Sequence, residues 1–373
     1  MNRIRLTALI LFLVILFSAQ VSAQLTAGKK RTIKKRCKEV PEAVSNDASK
    51  LSEYLSAGLT TDLERAYAFY YYTANAIRYN FEKSKRITIN ASREDILQDA
   101  LTDGIGICQH YSELFHALSR NAGIPSYVIA GYTRQNGEVI STSHSWNALL
   151  VDGEWMLFDP TWGGGYREGS QYHHRFSTAY FMMEPRSTIR EHMPYDPLFQ
   201  FSNKVITHKN LFRGRFKRNV RMFDDYKNAL KRHAELPEQA QLKEAMERIQ
   251  RVGTGPETVE KYYNFLHQNY NVHLANEQVD LHNKGVNVMN EAVNMFNEYV
   301  KTLNRNMGQY PGGADSAMKI IEKVEFKSLQ AQSIMESVNP PVRLENSVRK
   351  NMQVADKLLE RLKKERKKYA PRK

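Results

Sequence analysis

GICQHYSELFHALSRNAGIPSYVIAGY, residues 106–132, and SHSWNALLVDGEWMLFDPTW, residues 143–162, form the stretch whose reading decides the fold. Its hydrophobic period changes once. Cys108 follows the glycine-broken run Asp103-Gly104-Ile105-Gly106, after which Tyr111, Leu114, Phe115, Leu118 and Ala122 recur at helical spacing until Gly123. A helix therefore opens near Cys108 and stops at that glycine. Residues 126–133, 144–151 and 154–159 then read as strands, and Asp152-Gly153 is a two-residue hairpin signal.

A cysteine that opens a helix sits where unpaired backbone amides and the helix dipole favour a thiolate. Such a nucleophile needs a base within reach and a third group to orient that base. The hairpin supplies candidates for both. With a turn at Asp152-Gly153, residues pair when their numbers sum to 305, which sets Leu150 against Trp155, Ala148 against Leu157, Trp146 against Asp159 and His144 against Thr161. His144 and Asp159 are then diagonal neighbours, ~7–8 Å apart or somewhat less between β-carbons. A His and an Asp ending an otherwise apolar face are costly there unless paired. Taken singly, each residue also has a plain reading. Cys108 can be a small buried hydrophobe or pair with Cys37, His144 a satisfied strand histidine, and Asp159 the start of a turn before Pro160. A zinc site on Cys108, His110, His116 and His144 is disfavoured, because residues six apart on one helix project in opposed directions, so no metal is expected.

Together these two segments resemble the transglutaminase-like cysteine-enzyme superfamily, most nearly its kyphoscoliosis-peptidase-like branch. There a Gly-x-Cys helix, a His-x-Trp strand and an Asp-Pro-Thr-Trp turn carry the site. The later YFMMEPRSTIREHMPYDPLFQF, residues 180–201, resembles the segment that follows the core in that branch. The resemblance spans residues 61–205. It implies an α+β, papain-like core with the cysteine helix packed on an antiparallel sheet, Cys108 as nucleophile, His144 as base and Asp159 as orienting residue. The three tryptophans, Trp146, Trp155 and Trp162, all follow the cysteine, whereas transglutaminases proper place one upstream for the oxyanion. Peptide or carboxamide hydrolysis through a thioester is therefore expected ahead of cross-linking. Tyr111, Trp146 and Trp162 offer rings for a substrate groove.

Outward from this stretch, the 373-residue chain is 42% hydrophobic with only two cysteines, which excludes disorder and a disulfide-stapled miniprotein. Arg3 and Arg5, an apolar run over residues 6–19 and Val21-Ser22-Ala23 read as a signal peptide of 23 residues. The mature protein is then secreted or periplasmic. Seven bases and no acid occupy residues 24–38, and twelve bases against four acids residues 342–373. Basic ends on an exported protein suit an anionic envelope surface and not nucleic acid, or are solvated tails. Helices are expected over residues 41–57, 60–79 and 93–101. From residue 206 onward strands give way to helices whose apolar residues step by three and four, through Val272, Ala275, Val279 and His282 and on through Ala317, Ile321 and Val324. Breaks at residues 310–313 and 339–341 fold these helices back into an antiparallel, coiled-coil-like all-α region.

The expected domains are thus the signal peptide, a basic segment with a helix over 24–60, the core over 61–205 and a helical domain over 206–373. The expected activity is that of a cysteine peptidase or amidase, or of an acyltransferase where an amine resolves the thioester, on protein or peptide substrates and without a cofactor. The competing reading is a non-catalytic envelope scaffold that binds through the helical region.

Overall fold

The computed structural model describes residues 25–82, 92–169, 171–340 and 342–369; the signal-peptide reading falls on residues 1–23, outside them. Contacts divide the chain into two compact units, Met1–Leu236 with Ala245–Tyr263, and Pro237–Glu244 with Asn264–Lys373.

The first unit opens with α1 (Ala27–Lys38), α2 (Glu42–Ser45), α3 (Ala48–Ser56) and α4 (Asp62–Ala76). The basic stretch, read either as a surface-binding segment or as a solvated tail, forms helix α1, which buries Ile33 and Cys37. Its Lys30 and Lys34 lie over the rings of Tyr67, Tyr71 and Phe176. In α4, Thr61 Oγ1 accepts from Glu64 N, while the Glu64 carboxylate reaches back to Thr60 N. The helix stops at Ile77, short of residue 79, because Arg78–Tyr79 (β1) pairs in parallel with Ile105–Gly106 (β2). Between them, α5 (Arg93–Thr102) starts on a reciprocal Ser92–Asp95 capping box.

Helix α6 (Cys108–Asn121) is central, burying Tyr111, Leu114, Phe115 and Leu118. Beyond Gly123, with φ +78°, the chain enters β3 (Ser126–Gln135), β4 (Glu138–Val151) and β5 (Glu154–Phe158). Both hairpin turns, Asn136-Gly137 and Asp152-Gly153, have positive φ at each residue, the type I′ geometry that suits the twist of the strands. After α7 (Pro160–Gly164), the hairpin β6 (Gly165–Glu168) and β7 (Gln171–His174), and α8 (Pro185–Thr188), strand β8 (His192–Pro194) completes an antiparallel sheet in the order β5-β4-β3-β8.

Alternation along β4 and β5 sends Leu149, Val151 and Phe158 into the core around α6. Trp146, Ala148 and Leu157 enter a second core with Ile129, Leu198, Phe201 and Leu230. The hairpin pairs Ala148 with Leu157 and Leu150 with Trp155 as counted, but its ladder ends at Asn147 and Phe158. Asp159 leaves the sheet to cap α7, so it is not a strand partner of Trp146, and Thr161 is not one of His144.

The unit closes with β9 (Lys204–Val205), α9 (His208–Phe212), β10 (Val220–Arg221) and α10 (Tyr226–Glu235). Strands thus persist past residue 206, as β9 and β10 pair. Helix α11 (Glu238–Val252) carries Arg248, which grips Asp196 at 2.8 and 2.6 Å just beyond β8.

Helix α12 (Glu257–Arg305) starts in the first unit and belongs to the second from Asn264 on, where it shares with α13 (Gly313–Glu336) and α14 (Val342–Tyr369) a core of Met289, Phe296, Tyr299, Ala317, Ile321, Val324, Ala355 and Leu362. Contacts of Glu291 with Lys327 and Gln278 with Asn339 run α12 and α13 antiparallel, and Glu325 with Arg366 reverses the chain again into α14. His282 is buried against Ser347 and Asn351, whereas Val272, expected on the same seam, is 56% exposed. Among the described residues no helix is long and apolar enough to cross a membrane.

Candidate active site

Cys108 is the first residue of α6 and half-buried; both it and Cys37 are free thiols, so the chain has no Cys37–Cys108 disulfide. Ser112, one turn on, donates to the Cys108 carbonyl at 3.0 Å and lies 3.1 Å from the Ser145 hydroxyl of β4, which ties the helix start to the strand. His144 opposes Gly131 on β3. Between the pairs Gly131–His144 and Thr133–Ile140 the β4 strand carries two extra residues, a bulge immediately before the histidine. Bulges of this kind re-aim the side chains beside them.

Asp159 joins this pair from the start of α7, where Pro160 occupies the first turn and leaves fewer amides to satisfy. Its Oδ1 accepts from Thr161 N at 2.9 Å and Trp162 N at 3.0 Å. Its Oδ2 accepts from His144 Nε2 at 2.7 Å and His192 Nε2 at 3.0 Å. The carboxylate is fully buried with both oxygens doubly occupied. Burial by itself would raise its pKa, but the charge of His144 and the hydrogen bonds from His144 and His192 hold it well below the usual carboxylate range.

Since His144 spends Nε2 on Asp159, Nδ1 remains for its hydrogen bond with Cys108. Burial opposes the imidazolium, yet the adjacent carboxylate and the sulfur raise its pKa to about 10. Burial likewise pushes the Cys108 thiol up. It is outweighed by the hydrogen bond and charge of His144, with help from the Ser145 hydroxyl and backbone, so the thiol lies below its ordinary value. Both shifts run toward the thiolate and the imidazolium, the arrangement in which a nucleophile lies beside its own proton donor.

His192 was not singled out from the sequence. It sits inside the quoted residues 180–201, but nothing local distinguishes it, because its partner is 33 positions away. Trp162, half-buried, stacks on His144 at 5.3 Å and meets His192 at 4.5 Å between ring centres. Tyr111 and Trp146, expected beside a groove, are instead wholly buried. Tyr111 donates to the Ile77 carbonyl at 2.6 Å, and Trp146 packs in the second core. A cavity of about 540 Å³ is walled by Arg78, Tyr79, Phe81, Ile105, Gln171 and Tyr172, and Cys108 is not among its lining residues. Tyr79 pairs with Gly106, two residues before the cysteine.

His144, Asp159 and His192 bring three potential ligand atoms within 4.8 Å. Both nitrogens already donate to one carboxylate oxygen, so a cation there would have to displace two hydrogen bonds. His110 and His116 turn elsewhere, His110 to the Ile107 amide and His116 to the Ser126 hydroxyl.

Residues 49–160 match the family described as the transglutaminase-like superfamily. Over 143 residues the chain is 31% identical to the kyphoscoliosis peptidase of Mus musculus, covering 36% of this chain and 21% of that protein. The Homo sapiens kyphoscoliosis peptidase gives the same identity and coverage. The chain thus spans about a fifth of the length of the curated relatives it matches. Among solved structures, the periplasmic domain of TgpA from Pseudomonas aeruginosa aligns at 24% identity and a TM-score of 0.26, covering 35% of this chain and 49% of that one. Residues 49–160 are thus similar to the transglutaminase-like superfamily, and a 143-residue stretch is similar to the kyphoscoliosis peptidases.

Proposed function

We propose that this transglutaminase-like chain is an exported thiol hydrolase of peptide or carboxamide bonds, with Cys108 as nucleophile, His144 as acid and base, and Asp159 as the group that orients His144. The observation that carries the reading is the His144 ring, with Nε2 2.7 Å from Asp159 Oδ2 and its other nitrogen directed to the Cys108 sulfur. The name of the mammalian relatives, a peptidase, supports protein or peptide substrates.

In the first step the thiolate adds to the carbonyl carbon, and the negative charge moves to oxygen, where amides of the first turn of α6, that of Cys108 first, stabilise it. Collapse expels the amine, which takes the proton from His144 Nδ1, and leaves a thioester on Cys108. Water then gives a proton to the now neutral His144 as it attacks. The acid product leaves and the thiolate–imidazolium pair is restored. Hydrolysis is put ahead of transfer to a second amine because all three tryptophans follow Cys108, whereas transglutaminases proper place one upstream of the cysteine. Export rests on residues 1–23. The exposed basic face of α1 suits an anionic surface outside the cell.

The test is iodoacetamide alkylation of Cys108 against pH, read by intact mass in a Cys37→Ser background, with and without His144→Ala. Reactivity persisting well below the ~8.5 pKa of a free thiol, and abolished without His144, is the expected result. An ordinary thiol profile that ignores His144 would refute the enzyme reading and favour the scaffold alternative.

A further inference from the structure

We infer that His192 is a positioning residue of this site: as a neutral Nε2–H donor to Asp159 Oδ2, it keeps Asp159 ionised and so keeps the proton of His144 available to Cys108. The inference rests on the thiol-enzyme reading above and adds a fourth side chain to it.

The geometry fixes the donor. An ionised carboxylate only accepts, so the 3.0 Å contact requires the proton on His192 Nε2. The other nitrogen, Nδ1, is buried and has no hydrogen-bond partner among the described residues. A second proton there would leave a buried N–H without an acceptor, which burial resists. Consistently, burial moves the His192 pKa below its ordinary value, although the Asp159 carboxylate pulls the other way. Beside it, the same burial leaves His144 charged. The two histidines differ because His144 faces the carboxylate and the Cys108 sulfur together, whereas His192 shares the carboxylate, gains little from Glu191 and is opposed by the charge of His144.

The ring is also held from several sides. Trp146 and Trp162 pack on it at 5.1 and 4.5 Å between centres. The next residues are pinned by Ser143 to Tyr195 at 2.8 Å, Tyr195 to Thr258 at 2.7 Å, and Arg248 to Asp196. The other titratable groups facing the cluster are Cys108, Glu191 and the phenols of Tyr70, Tyr79, Tyr111 and Tyr180. Burial keeps those phenols neutral, which leaves His192 as the second charge-sensitive partner of Asp159.

The sign follows. Removing a donor raises the Asp159 pKa, so on acidification Asp159 takes a proton earlier, His144 loses its counter-charge, and the sulfur is protonated at higher pH. In the Cys37→Ser background, His192→Phe should move the acid limb of Cys108 alkylation up by about one pH unit, cutting the rate on that limb about tenfold. His192→Gln, whose amide can donate from nearly the same place, should stay near the parent. A Phe profile that superimposes on the parent overturns the inference. So does a Gln variant as damaged as Phe, since packing and not the donated proton would then be at work. If His192→Phe does not fold, nitrogen-15 NMR of the parent decides. His192 must appear as the neutral Nε2–H tautomer at pH 7, and a charged or Nδ1–H ring overturns the inference. A parent with an ordinary thiol profile defeats the thiol-enzyme reading itself, whereas an activated parent with a flat His192 series defeats only this step.

Discussion

Asp159→Asn is the substitution that most directly tests the electrostatics, because it keeps shape and removes charge. Thr161 N and Trp162 N donate to Oδ1, so an asparagine would keep its oxygen there and turn its NH₂ toward His144 and His192. Both Nε2 atoms then face a donor and must become acceptors, which moves each proton to Nδ1. His144 would present N–H to Cys108 permanently and could not take a proton from it. Without the carboxylate the main influence raising His144 to about 10 is also gone, and burial leaves the ring neutral near pH 7. The thiol then has no cation beside it. At the ~8.5 pKa of a free cysteine only ~3% would be thiolate at pH 7, so alkylation should slow at least about 30-fold from a fully ionised parent. The assay is single-hit iodoacetamide kinetics at pH 7 in the Cys37→Ser background, with circular dichroism to show that the fold is kept. A rate within threefold of the parent would refute the assignment of Asp159 as the source of the imidazolium.

Other consequences are independent of that chain. Native protein should take one equivalent of iodoacetamide, at Cys108, up to pH 9, because buried Cys37 is pushed up to about 12; two equivalents at similar rates would contradict this. At Gly131 an added Cβ would overlap Trp146 Cη2 and the Met193 carbonyl, so Gly131→Ala should displace β8, cost ~1–3 kcal/mol and slow Cys108 alkylation. Unchanged melting and reactivity would show that the strand has room. Phe158→Ala empties a site shared with Phe115 and Phe181 and should cost ~3–5 kcal/mol. Urea unfolding followed by tryptophan fluorescence measures it, since Trp146, Trp155 and Trp162 all belong to the first unit.

What the sequence made legible was local or periodic. Asp152-Gly153 set the hairpin register because a two-residue turn leaves no freedom, and the ladder follows it from Val151–Glu154 to Asn147–Phe158. The count fails at the next step because Asp159-Pro160 makes a better helix start than a strand end. The capping bonds that take Asp159 out of the sheet also orient its second oxygen. Asn136-Gly137 carried the same turn signal and extends β4 back to Glu138, ahead of the strand start read at residue 144. The helical period through Ile77 hid β1, whose pairing with β2 is a tertiary event. His192 was beyond reach for the same reason: its role depends on a strand that joins the sheet through β3, with no turn or period to announce it.

The two cysteines show which influence activates the site. The start of a helix favours a thiolate, but by ~0.3–1 kcal/mol at exposed termini, less than one pKa unit at 1.36 kcal/mol each. Burial is much larger: Cys37, with no histidine beside it, stands at about 12. Cys108 experiences burial as its largest influence too, yet lies below the ordinary thiol value. Its place at the head of α6 is therefore not sufficient, and the charge of His144 must offset what burial imposes. It follows that His144→Ala should not return Cys108 to the behaviour of a free cysteine but take it past that, toward Cys37. Alkylation in that variant should be slower than that of a short cysteine peptide at every pH up to 9. A profile matching the peptide would mean that burial at Cys108 is weak and that the helix start, not His144, governs the thiol.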